Sequence, residues 1–326
     1  MFQLRQSFLL FLTATIWGSG FVAQSIGMDH VTPFTYTFFR TFIGAIVLLP
    51  VIYFLKQRQA KKTTQTPAYT RRDLIIGSLC CGLCLVGGES FQQFGLVTTD
   101  AGKAGFITSL YIVFVPIFGL FLGKKLNRFI VLGVLLSLFG FYLLCIKQSF
   151  TIEHGDFLIL ICAVVFCFHI LTIDHFVAKC DGVLLSCGQF FAASVIALIL
   201  MLVFDYDVFS WADVRAAALA LLWSGVMSNG VAYTLQVVGQ RGMNPTIATL
   251  ILSLESVMAV VFGTLLLHES LTLREGIGCI LILIAVIIAQ LNPKAIMAVL
   301  HQRKNKAAPA PKAAPVTAEP TAARSE

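Results

Sequence analysis

The stretch FQQFGLVTTDAGKAGFITSL, from Phe91 to Leu110, returns 144 residues later as LQVVGQRGMNPTIATLILSL, from Leu235 to Leu254. Gln92 aligns with Gln236, Gly95 with Gly239, Ala104 with Ala248, Ile107 with Ile251, and Ser109-Leu110 with Ser253-Leu254. After one residue of slippage, Leu126 meets Leu271 and Gly133 meets Gly278. Self-similarity at one long offset marks an internal repeat, and the sequence around each copy states what kind of element is repeated.

That surrounding sequence is apolar. Of the 326 residues, 58% are hydrophobic and only 12% charged; mean hydropathy is +0.88. Counting Gly and leaving out Tyr raises the apolar share to roughly 64%, against about 45–50% in soluble domains. A soluble globular protein is excluded. Ten apolar runs follow one another: Ser7 to Gly27, Phe34 to Leu55, Leu74 to Leu96, Ala101 to Gly123, Phe129 to Ile146, Asp156 to Phe176, Val183 to Phe204, Ala216 to Val238, Thr246 to Leu267 and Gly276 to Leu291. In hydrocarbon only helices and closed barrels satisfy every backbone donor and acceptor. Barrel strands need about 9–11 alternating residues, whereas these runs are about 20 long and do not alternate. The expected fold is therefore an all-α polytopic membrane protein of ten transmembrane helices. Five spans fall in each half, 7–147 and 156–291, and an odd number makes the second copy insert upside down relative to the first. Inverted repeats with a site between them are a plan of secondary transporters. The first run continues past signal-peptide length through Trp17 and Phe21 without a clear cleavage site, so an uncleaved span is expected. Residues 307–326, rich in Ala and Pro, read as a disordered cytoplasmic tail.

Lys and Arg accumulate in cytoplasmic loops. With the N-terminus inside, 18 of the 23 fall on the cytoplasmic side, leaving Lys147, Arg215 and Arg274 outside and Arg40 and Lys103 in or at spans. Both termini are expected in the cytoplasm of a multi-pass protein of the cell (inner) membrane. The net charge of +7 is then a topology signal, and no nucleic-acid partner is needed. The nine cysteines lie nearly all within spans, which argues against a disulfide framework. Cys80, Cys81 and Cys84 have partial metal spacing but no neighbouring His, and no metal is expected.

Several strings carry a resemblance to a known family. They are WGSGF at Trp17 to Phe21, FFR at Phe38 to Arg40, AGKAGFITSLYIVFVP at Ala101 to Pro116, GVAYTLQVVGQ at Gly230 to Gln240, LSLES at Leu252 to Ser256 and HESL at His268 to Leu271. With the repeated halves, they resemble the drug/metabolite transporter superfamily and, within it, the EamA family. The resemblance implies a carrier that moves small organic solutes, amino acids and related metabolites or drugs, by alternating access, with efflux favoured. The first repeat has Lys124 and Lys125 where the second has Glu269, so equivalent roles are not carried across those positions.

Ionisable residues inside spans are costly and are functional candidates by default. Glu255, mid-way along the ninth span, and Glu89, in the outer half of the third, are the candidates for proton coupling, with His169 in the sixth span as a third. Arg40 is expected to form a structural ion pair with Glu89; Lys103, between Gly102 and Gly105, is open to the same pairing or to an anionic substrate group. Gln92, Gln93, Asn229, Tyr233 and Gln236 are candidate hydrogen-bonding groups for a midplane ligand, and Tyr111 with Trp17 and Phe91 for an aromatic wall. Pro116 and Pro245 are expected to mark helix irregularities. No GxxxxGK[ST], HExxH or GxSxG string is present, so neither direct ATP coupling nor an enzyme is expected, and no cofactor is implied. The partners are a small-molecule substrate, protons and the lipid bilayer, with a homodimer left open. The competing function is a flippase or scramblase for lipid-linked substrates on the same frame.

Overall fold

Hydrocarbon-length apolar runs do form helices, and the helices outrun them. The structure, a computed structural model, describes residues 2–60, 70–124, 126–145, 153–266 and 272–290, which are helical with no strand. The elements are α1 (Phe2–Met28), α2 (Pro33–Ala60), α3 (Arg71–Leu96), α4 (Ala101–Ser109), α5 (Tyr111–Phe121), α6 (Arg128–Cys145), α7 (His154–Val177) and α8 (Gly182–Phe204). They continue with α9 (Trp211–Ala216), α10 (Ala218–Leu222), a wide π-helical segment (Trp223–Tyr233), α11 (Thr234–Gln240), α12 (Pro245–Leu252), α13 (Leu254–Leu266) and α14 (Leu273–Ala289). Helix α1 begins at Phe2 and α2 runs on to Ala60, because a backbone already wound in the bilayer keeps its hydrogen bonds where polar side chains meet water. Capping sets several starts: Thr70 accepts from the amide of Asp73, Asp181 from Val183 and Leu184, and Asn244 from Thr246 ahead of Pro245 at the first helical position.

Eight helical passes among the described residues are long and apolar enough to cross a membrane: Phe2–Met28, Pro33–Arg58, Arg71–Leu96, Ala101–Phe121, His154–Val177, Gly182–Phe204, Ala218–Gln240 and Pro245–Leu265. The shorter α6 and α14 pack on each other. A methyl at Gly133 would lie 2.9 Å from the carbonyl oxygen of Ala285, and one at Gly140 would lie 2.9 Å from that of Gly278. Such close backbone approach at small residues is how helices associate where lipid removes the hydrophobic drive between them. The outer surface is as apolar as the core, and most of the polar side chains that occur within the spans are buried. Phe121, Leu219 and Phe54 face outward, while Arg40, Glu89, Gln93 and His169 are buried.

Two passes are broken at matching places. Between α4 and α5 the amide of Leu110 donates to Ile107 O (3.1 Å) and that of Val113 to Leu110 O (2.9 Å). Between α12 and α13 the amide of Ser256 donates to Ser253 O (3.2 Å). These are three-residue turns in place of four-residue ones. The irregularity expected at Pro116 thus falls six residues earlier, at Leu110, and Pro116 sits inside α5. Its ring denies a hydrogen bond to Ile112, one residue into α5, so the disturbance falls at the start of that helix. Pro245 starts α12 without bending it.

Close packing also makes a prediction. A β-carbon at Gly82 of α3 would lie 2.6 Å from Ala192 Cβ and 2.8 Å from Gln189 O on α8. Gly82→Val is expected to lower stability by about 1–3 kcal/mol through overpacking. Gly102→Ala, with nothing within 4 Å, is expected to lose none. Thermal unfolding in detergent compares the two.

Candidate functional site

A narrow cavity of about 30 Å³, room for about two waters as it stands, lies among the helices and is lined by polar and aromatic side chains. Helix α1 contributes Trp17, Phe21 and Gln24; α2 contributes Arg40; α3 contributes Gln92; α7 contributes Phe166, His169 and Ile170. Thr108 and Tyr111 come from either side of the α4–α5 break, Ser228, Tyr233 and Gln236 from the wide segment and α11, and Glu255 from the first turn of α13. Both helix breaks therefore open onto the site. So does the wide helix, in the irregular geometry that recurs at functional sites. Gly225 lets that segment approach α2, since a β-carbon there would lie 2.6 Å from Ile43 Cβ.

The charges sort into two groups. Arg40 donates to Gln24 Oε1 (2.7 Å), Asn229 Oδ1 (3.1 Å) and Ser228 Oγ (3.2 Å), and its Nη2 lies 3.3 Å from Glu89 Oε1. Asn229 Nδ2 donates to the same Glu89 oxygen at 3.2 Å. Arg40 and Glu89 are 2% and 0% exposed, so a full guanidinium set of partners compensates a desolvated pair. Glu255 is elsewhere. Its Oε1 accepts from Tyr111 Oη at 2.9 Å and Ser109 Oγ at 3.4 Å, and no Lys or Arg among the described residues is in ion-pair contact with it. Tyr111 and Glu255 occupy the same place in the two copies of the repeated sequence, 144 residues apart, and here they touch. Ser109 and Ser256 meet beside them at 2.7 Å.

Unpaired polar atoms face the same space. Trp17 Nε1, His169 Nδ1 and Gln236 Oε1 are buried without a partner, while His169 Nε2 bonds Gln189 Oε1 at 3.0 Å. Orphaned buried donors and acceptors are costly unless something else satisfies them, and these three belong to residues that line the cavity. Trp17 and Tyr233 stand edge to face with ring centroids 4.6 Å apart, and His169 packs on Tyr233 at 5.8 Å. Gln92 lines the cavity and donates to Thr108 Oγ1 at 3.2 Å.

The remaining sequence candidates lie apart from this lining. Gln93 is buried, with its Nε2 3.4 Å from Met28 Sδ. Glu89 and Asn229 form the shell behind Arg40. Lys103 pairs with Asp156 Oδ2 at 2.6 Å, at the end of the bundle where α4 and α7 begin. Phe91 is partly buried and packs against the core. Gln24, Thr108, Ser228 and Phe166 belong to the site although sequence reasoning passed over them; Ser and Thr in spans are too common to stand out. Gln24 carried a signal, as an amide inside the first apolar run, two turns after Trp17. Among the described residues no group of three or more His, Cys, Asp or Glu converges as a metal site, and Lys125, the HESL string and residues 307–326 lie outside them.

Comparison with known proteins places this arrangement. A transporter of Archaeoglobus fulgidus, named as uncharacterized, is 35% identical over 287 residues, 87% of this chain and 85% of its own. The uncharacterized transporter YoaV of Bacillus subtilis is 25% identical over 82% of this chain and 90% of its own. One crystal structure matches with a TM-score of 0.68 at 20% identity, covering 89% of this chain and 98% of its own, a likeness of fold. The EamA-like transporter family matches twice, over residues 4–146 and 154–290. With eight membrane-length helices and this family pattern over nearly all of residues 4–290, the chain is a multi-pass membrane protein belonging to the EamA-like transporter family.

Proposed function

We propose that the protein is a proton-coupled exporter of small organic amines, either zwitterionic amino acids and their relatives or cationic drugs, working by alternating access. In this reading α6 and α14 also cross, giving ten spans in two inverted five-helix halves, 7–147 and 156–291. Both termini face the cytoplasm of the cell membrane. The observation that carries it is the division of charge in the cavity. Arg40 is matched by Glu89, which leaves Glu255 as the carboxylate with hydroxyl partners alone. One such group can hold a proton or a substrate ammonium, and competition between them couples the two fluxes. Trp17, Tyr233 and Phe166 supply aromatic faces for the cation or its apolar body, and Gln236 Oε1 a further acceptor.

The test uses the full chain in proteoliposomes with an internal pH reporter. Amino-acid and cationic-amine pools are expected to drive proton movement, while a pool of simple carboxylate anions does not. Proton movement driven by the anions alone would overturn the charge reading. Movement of fluorescent lipids without any solute flux would favour the flippase instead.

A further inference from the structure

One helix seam carries an ion pair at each end and the cavity in its middle. Where α4 and α7 begin, Lys103 Nζ meets Asp156 Oδ2 at 2.6 Å, and that aspartate is fixed by Thr99 Oγ1 (3.0 Å) and the Glu153 amide (2.9 Å). Past the end of α5, Gly123 takes a left-handed turn (φ 74°) and the Lys124 amide bonds Gly119 O. The turn brings Lys124 Nζ onto Asp174 Oδ2 of α7. Between the two pairs, Thr108 and Tyr111 face the cavity from one side of the seam and Phe166, His169 and Ile170 from the other.

The pairs differ in kind from Arg40–Glu89. The Lys103 and Lys124 side chains are 30% and 36% exposed and their aspartates 5% and 12%, so water reaches each pair from its lysine side. Water at the lysine side can take over the ammonium's hydrogen bonds, so such a pair parts at less cost than one buried on both sides. The seam related by the sequence repeat, α12–α13 against α1, is built otherwise. Ile247 stands there in place of Lys103. The contact is closed by Gly18, whose β-carbon would lie 2.5 Å from Met258 Cβ and 2.8 Å from Glu255 O. That is interlocked small-residue packing, without an ion pair among the described residues.

We propose that Lys103–Asp156 and Lys124–Asp174 are two gates on one seam, each parting to open the cavity toward its own end of the bundle, while the α1–α13 seam stays shut. The consequence for transport rests on the carrier reading; the gating itself does not. Both aspartates join α7 to the α4–α5 pass, so loss of one pair releases one end and leaves the other tied.

Amide hydrogen exchange on the full chain in lipid nanodiscs tests this without any substrate. Asp174→Asn is expected to speed exchange about fivefold at residues 118–124 and 170–177, leaving 99–106 and 153–160 at native rates. Asp156→Asn is expected to do the reverse, and residues 12–22 and 254–262 stay protected in both. The exchanged pair Lys124→Asp with Asp174→Lys is expected to return the first pattern to native. Both ends loosening together, neither loosening, or release of the α1–α13 seam instead would overturn the assignment. Proteoliposome flux that fails while the exchange pattern holds would sink the carrier reading and leave the gates standing.

Discussion

Glu255→Gln is expected to lower amine-driven proton flux about 100-fold with the fold intact. The change keeps the shape of the side chain and an oxygen to accept from Tyr111 Oη, so the 2.9 Å contact across the two broken helices survives. What disappears is the charge. A hydrogen bond to a charged group is worth about 1.5–3 kcal/mol, which is roughly 10- to 150-fold in binding. Losing the ammonium's partner and the proton's acceptor at one atom sets the effect near the upper end. The flux that remains is expected to be independent of pH. Tyr111→Phe removes one neutral donor and is expected to cost only about 3- to 10-fold. Substrate flux and proton flux measured together in proteoliposomes check both variants. Native coupling in Glu255→Gln would move the role to another group, with His169 the first to examine.

Arg40→Leu is expected to act on stability rather than on coupling alone. It strands Glu89, fully buried, with Asn229 as its hydrogen-bond donor, and it leaves Gln24 Oε1 and Ser228 Oγ without their arginine. Breaking a buried pair from one side costs about 3–5 kcal/mol. At about 2–4 °C per kcal/mol for a chain of this order, the apparent melting temperature falls by about 10 °C. The double variant Arg40→Leu with Glu89→Leu removes both charges and is expected to recover most of that loss, since apolar replacement of a whole buried pair is often close to neutral. Thermal unfolding in detergent of the native, single and double variants reads the difference. A single variant as stable as the native chain would mean that the pair is not a structural tie.

Both predictions start from residues that stand out in the sequence, and both need contacts that the sequence withholds. Glu89, Glu255, Arg40 and His169 are conspicuous because a charge or imidazole inside an apolar run is expensive, and that expense is local. Pairing is another matter. Arg40 and Lys103 were each open to Glu89, and the choice depends on which helix faces stand opposite. Arg40 meets Glu89 beside the wide helical segment, whereas Lys103 leans outward to the capping aspartate of α7. Gln93, next to Gln92 in sequence, turns about 100° away around the helix and leaves the cavity, as the pitch requires. The Leu110 and Ser253 breaks had no marker beyond Ser, Tyr and Glu around them, because three-residue turns there are stabilised by partners on other helices.

The sequence by itself determined the solvent and therefore the class: apolar runs of about 20 residues must close their own backbone hydrogen bonds in hydrocarbon, and a helix does so within one segment. It also placed two related stretches 144 residues apart. Tertiary structure alone decided that Tyr111 and Glu255 from those stretches touch, that Arg40 belongs to Glu89, and that two ion pairs flank the cavity. Those are contacts between segments far apart in the chain, and they follow from how helices cross, which no local pattern encodes.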